Sequence, residues 1–228
     1  MRFDIDESSK NFPTLLKELK NECPPILYCN GNEQFDFNVP CVSVVGSRKA
    51  TSYGLNVLEE LIFNLVSNKF CVVSGFMYGI DAFVHELTLN LGGYTIAVLP
   101  AGVFNIIPSS NLHLYERIVC SNSVVISEYL ESIPPKKYVF PRRNRIVAGI
   151  SFATIVIESD VVGGSIVTAK LANNYKRLVF AIPGSIFNQM SLGCHKLVSE
   201  NISEIYYDFE TFLSKINEFM KRDIVNVI

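Results

Sequence analysis

Three arginines fall within four positions of the stretch "YVFPRRNRIVAGI", residues 138–150, directly after Pro141, a residue suited to the first position of a helix. A helix N-terminus carries unpaired N–H groups and a partial positive charge, so its first turn favours acids. Arg142, Arg143 and Arg145 do the opposite. They repel the dipole and one another unless an anion sits among them, and phosphate is the anion such a terminus binds best. A solvated basic face is the alternative. One of the three is expected to pair with a carboxylate such as Glu128 or Glu158 instead.

The wider segment "PPKKYVFPRRNR" (134–145) holds five bases and no acid, with Tyr138 and Phe140 between them. A positive groove that tracks phosphates, with aromatic rings on which bases stack, is how single-stranded nucleic acid is held without sequence preference. Two other stretches carry anion chemistry. In "GSRKATSYG" (46–54), Gly46 permits close backbone approach, Ser47 and Thr51 supply hydroxyls, and Arg48 supplies a fork of donors. It lacks both the G-x-G-x-x-G spacing of a dinucleotide site and the G-K-[ST] of a P-loop, so an ordinary strand-to-helix turn stays open. In "VVGGSIVTA" (161–169), Gly163, Gly164 and Ser165 precede a helix whose N–H groups suit a second phosphate; a tight turn needing glycine at positive φ is the alternative. Asp81 and His85, four apart, share one helical face and suit acid/base work, but an Asp serving the helix start with a structural histidine is the preferred account. No nucleophile elbow, paired carboxylates or metal constellation accompanies them.

The elements that position these residues alternate. "CVSVVGS", "FCVVSG", "YTIAVLP", "SVVISE", "FATIVIES" and "RLVFAIPG" are near-continuous apolar runs, as strands buried on both faces should be. Segments of helical spacing lie between them, including "SYGLNVLEELIFNLVSN", "GIDAFVHELTLNLG", "SSNLHLYERIVCSN", "RRNRIVAGIS" and "GSIVTAKLANNY". Such alternation predicts an α/β fold: an extended Rossmann-like, open, mainly parallel sheet with helices on both faces. Ligands of such sheets bind beyond the carboxyl ends of the strands, where strand order reverses. The stretches 46–54, 74–81, 99–111 and 158–169 all follow strands, so one rim gathers them. Residues 1–38 read as a short N-terminal extension packed on the core, 39–210 as the Rossmann-like domain, and 211–228 as a C-terminal helix too short for a second domain.

Composition narrows the classes. Hydrophobic residues make up 49% of the 228, enough for a sizeable core, and the formal net charge is −2, so any basic site is local. Six cysteines without a C-x-x-C pair and three dispersed histidines argue against zinc. Neither a secretory signal nor an apolar run of spanning length is present, and a reducing cytoplasm is the expected compartment, with no membrane partner.

Together the motifs resemble the DprA/Smf family of DNA-processing proteins. The resemblance runs from about Val42 to Glu200 and comprises "GSRKATSYG", "SGFMYGIDAFVHELTL", "GGYTIAVLPAG", "ISEY", "FPRRNRIVAGIS", "GGSIVTAKLA" and "VFAIPG", in that order. It implies a homodimer without enzymatic activity and without cofactors. It also implies binding of single-stranded DNA regardless of sequence, and loading of the RecA recombinase during natural transformation. Carried onto this chain, the DNA pocket comprises Gly46, Ser47 and Arg48, then Phe140, Arg142, Arg143 and Asn144, and Gly163, Gly164 and Ser165. Lys136 and Lys137, from the loop before the motif, are added. Departures from the family pattern include Met77, Ile107, Gly163 and His195, and Ser109, Ser110 and Asn111 stand where some relatives offer a lysine. Many relatives also carry a helical domain before the core or a winged-helix-like one after it. The competing reading is a nucleotide or phosphoribosyl hydrolase of the similar "lysine decarboxylase-like" fold, whose P-G-G-x-G-T-x-x-E glutamate has no counterpart here, since Ala169 and Lys170 stand where it is sought.

Overall fold

The structure, a computed structural model, describes residues 1–130 and 138–225. The strands in chain order are β1 (Arg2–Asp6), β2 (Ile26–Gly31), β3 (Cys41–Val45), β4 (Cys71–Ser74), β5 (Thr95–Val98), β6 (Val124–Ser127), β7 (Ala153–Val156), β8 (Leu178–Ala181) and β9 (Glu204–Ile205). The helices are α1 (Thr14–Lys17), α2 (Ser52–Ser67), α3 (Ile80–Asn90), α4 (Leu112–Val119), α5 (Val139–Gly149), α6 (Gly164–Asn174), α7 (Gln189–Ser199) and α8 (Phe209–Val225).

All nine strands among the described residues join one sheet in the order β1-β2-β6-β5-β4-β3-β7-β8-β9. From β6 to β9 every neighbouring pair is parallel, whereas β1 and β2 pair antiparallel with each other and with β6. The six apolar runs became β3 to β8, and β3 to β7 are buried at every position. Helices cover both faces, which is why those runs need no polar alternation. One face packs on α2, α3, α4 and α8 through residues such as Leu58, Ile80, Ile118 and Phe212. The other packs on α5, α6 and α7 through Ile146, Ala169 and Leu197, together with residues from the first forty of the chain.

Those first forty residues do more than lie on the core. Arg2–Asp6 and Ile26–Gly31 extend the sheet itself, with burial alternating along β2 as expected of an antiparallel strand wet on one face. Buried Arg177 ties α1 to the body, with Nη1 2.7 Å from Glu18 and Nη2 donating to the Leu15 carbonyl at 2.9 Å.

The order sets the site. The chain builds outward from β3 through β4 and β5 to β6, then α5 carries it back across the sheet to β7 on the other side of β3. The strand order therefore reverses between β3 and β7, and the crevice opens above their carboxyl ends.

Candidate nucleic-acid interface

A pocket of about 480 Å³ lies at that reversal. Its walls are the turns after β3, β4 and β7 and the first residues of α5, α6 and α7. Gly46, Ser47, Arg48, Phe140, Arg143, Asn144, Gly163, Gly164 and Ser165, from three separate segments of the chain, all line it. Arg142 does not, and Lys136 and Lys137 lie outside the described residues. Lys49, Asp160, Gln189 and Met190 line it as well, and sequence reasoning missed them.

The turn after β3 is braced from below. Glu158, fully buried at the end of β7, accepts hydrogen bonds from the Thr51 amide at 3.0 Å and from the Thr51 hydroxyl, while Thr51 caps α2 by accepting from the Gly54 amide. Gly54 is required here, since a Cβ would stand 2.4 Å from the Glu158 carboxylate. Gly79, at φ 70°, lets the turn after β4 press on the first turn: any Cβ would lie 2.4 Å from the Ser47 carbonyl. Ser47 itself accepts from the Lys49 amide and donates toward the Met190 sulfur at 3.2 Å. Arg48 and Lys49 are exposed, and neither has a carboxylate partner among the described residues.

The three arginines of α5 meet three different fates. Arg142 and Arg145 both pair with the nearly buried side chain of Glu128, at 2.9 and 2.6 Å, so two of the three are engaged by carboxylate where one was expected. Arg143 is buried, and its Nη1 donates to the Gly75 carbonyl and, at 2.6 Å, to the Val98 carbonyl, pinning the start of α5 over the ends of β4 and β5. Burial pulls the Arg143 pKa down to about 10, with Asp81 opposing and Arg48 adding to the fall, so it stays charged at neutral pH. Asp81 is pushed up by its own burial, against the pull of Arg143 and of the Met77 and Gly46 amides. One carboxylate thus stitches together two turns and the buried arginine. Helix α5 starts at Val139, so Pro141 is its third residue, still among the positions whose N–H has no partner within the helix.

The start of α6 supplies neutral donors. Gly163 stands at the N-cap with no side chain to cap the helix, and beyond Gly164 the space is open. The φ of Gly163 is −68°, so left-handed backbone is not its reason; a Cβ there would sit 2.3 Å from the Ser159 hydroxyl. Uncapped N–H groups at a cleft beside Arg48 and Arg143 have the chemistry to hold an anion.

His85 takes no part in this chemistry. Its Nδ1 lies 2.7 Å from the Thr95 hydroxyl, which already donates to the Val72 carbonyl, so the proton sits on Nδ1 and Nε2 is left without a hydrogen bond. Burial, and then the charge of Arg143, lower its pKa to about 3. The unfolded histidine binds a proton near pH 6.5 and the folded one does not, so stability is full above that pH and falls as the solution is acidified toward 3. Between pH 7 and 5 this residue alone is expected to remove about 2 kcal/mol, read as the excess pH dependence of urea denaturation in the wild type over His85→Gln. Equal slopes would show that the buried ring is protonated in the folded protein.

The first relatives place the chain. The family described as DNA recombination-mediator protein A matches residues 5–217. Protein Smf of Synechocystis sp. is 38% identical over 82% of this chain, and the chain spans 48% of that relative's length. The X-ray structure of DNA processing protein A from Streptococcus pneumoniae superposes with a TM-score of 0.86 at 35% identity, covering 93% of this chain and 73% of that one. DNA processing protein A from Helicobacter pylori, whose structure is described as giving insights into a unique single-stranded DNA binding mode, superposes at 0.83 with 26% identity over 97% of each chain. With the six central strands, the reversal crevice and its lining in place, the chain belongs to the DNA recombination-mediator protein A family, also named DprA or Smf.

Proposed function

We propose that this chain binds single-stranded DNA in the pocket at the β3/β7 reversal, chiefly through the strand's backbone, so that strands of any sequence are taken. The observation that carries the reading is the convergence there of exposed Arg48 and Lys49, buried Arg143 and the uncapped start of α6, with Phe140 at the rim for a base to stack on. Enzymatic chemistry is no part of the proposal: Glu158 is committed to Thr51, and Asp81 to the amides of Met77 and Gly46. Membership in a family described as recombination mediators supports the wider role, that the bound strand is protected and handed to the RecA recombinase during natural transformation. A cytoplasmic setting accords with six unpaired thiols, and no described helix is long and apolar enough to cross a membrane. A homodimer is part of the same proposal; exposed Ile205 on the two-residue edge strand β9 and exposed Tyr207 just after it are what supports it.

Fluorescence anisotropy of labelled oligo-dT, titrated at several salt concentrations, tests the binding. If about three phosphates are neutralised, the affinity falls with salt at a log–log slope near −2. Absence of binding at low salt would leave the anion site to a small ligand.

A further inference from the structure

Two carboxylates line the pocket, and neither suits phosphate. Asp81 is set against the buried Arg143, whereas Asp160, half-buried on the α7 side, has no cation set against it. It pairs with no lysine or arginine among the described residues. Its Oδ1 accepts from the Val161 amide at 2.6 Å and its Oδ2 from the Gln189 amide nitrogen at 2.8 Å, which leaves each oxygen a free lone pair. The backbone beneath it is fixed as well. The Ser159 amide donates to the Met190 carbonyl at 2.7 Å, and the Gly193 and Gly163 amides donate to the carbonyls of Ser159 and Asp160 at 2.8 and 3.0 Å. A Cβ at Gly193 would stand 2.5 Å from the Ser159 carbonyl, so the close approach of α7 depends on that glycine.

A rigid carboxylate with no counter-ion repels phosphate and attracts donors. At about 480 Å³ the pocket lies in the range that takes a whole small ligand, larger than a phosphate group needs. The part of a nucleotide that carries donors is the base edge, and the bases differ there. Guanine alone offers two adjacent N–H groups, N1–H and N2–H, which match the two oxygens of a carboxylate; thymine offers N3–H between two carbonyls, and adenine and cytosine each offer one amino group beside a ring acceptor. We propose that Asp160, held in place by Gln189, reads the base of the nucleotide whose phosphate lies at Arg48, and that the base it favours is guanine.

The inference rests on the strand-binding reading, to which it adds a preference at a single position. The test sets labelled oligo-dT against competitors that carry one central guanine or one central hypoxanthine, which differs by loss of the 2-amino group alone. Calorimetry with dGMP and dIMP supplies the same comparison without a strand. The guanine strand is expected to compete about tenfold better than the hypoxanthine strand, the effect of one hydrogen bond to a charged group. In Asp160→Asn both ratios should fall to about one, whatever the absolute affinity. A ratio near one in the wild type, or one that survives Asp160→Asn, overturns the proposal. Should oligo-dT fail to bind while dGMP still outbinds dIMP in the wild type alone, the strand reading falls and the role of Asp160 stands. If no nucleotide binds, both fall.

Discussion

Arg143→Ala is expected to lower the unfolding free energy by about 2–5 kcal/mol, the effect of leaving buried carbonyls without their charged donor and a buried carboxyl without its neighbouring cation. The reason lies in what the side chain leaves behind. The buried Asp81 carboxylate loses the cation that offsets its burial, and the carbonyls of Gly75 and Val98 lose a charged donor. Arg143→Lys should recover part of the loss, because an ammonium restores the charge but not the planar fork. Urea denaturation of the three proteins measures this, and a loss under 1 kcal/mol would show that water replaces the guanidinium. Truncation of Arg143 removes the floor of the pocket as well as a charge, so weakened DNA binding by that variant does not distinguish the two.

Arg48 is the cleaner probe and carries the second large effect. Exposed and unpaired with any carboxylate among the described residues, it can be truncated without breaking an internal ion pair. Loss of a charge-assisted hydrogen bond to phosphate corresponds to about 1.5–3 kcal/mol, so Arg48→Ala should weaken oligo-dT binding roughly ten- to hundredfold. The loss should be alike for all sequences, and the salt slope should become shallower by about 0.7. Stability should barely change. Unaltered affinity with an unaltered slope would place the strand's phosphates elsewhere on the rim.

The same contrast shows where sequence reading reached its limit. The central strands were legible because burial on both faces leaves apolar runs that no other element produces at that length, and the helices between them because their periodicity is local. Strands β1 and β2 were not. Packed at the antiparallel end of the sheet with one side wet, "RFDID" and "ILYCNG" alternate over only five and six residues, and the charged and asparagine positions hide the period. Helix α7 escaped notice because its first turn is polar and Gly193 interrupts it, although the Asn188 cap and the spacing of Cys194, Leu197 and Val198 were available as signals.

By itself the sequence determined the α/β class, the rim on which the unusual residues gather and the family resemblance, because each depends on patterns within a few residues of one another. Only the tertiary structure decided what each charge does. The three arginines of "PRRNR" are equivalent in sequence, yet Glu128 claims two of them and the ends of β4 and β5 claim the third, while Arg48 has no carboxylate partner among the described residues. The physical reason is that a charge is defined by its surroundings. Burial and the nearest counter-charge set whether a guanidinium serves the fold or a ligand, and both come from segments remote in the chain.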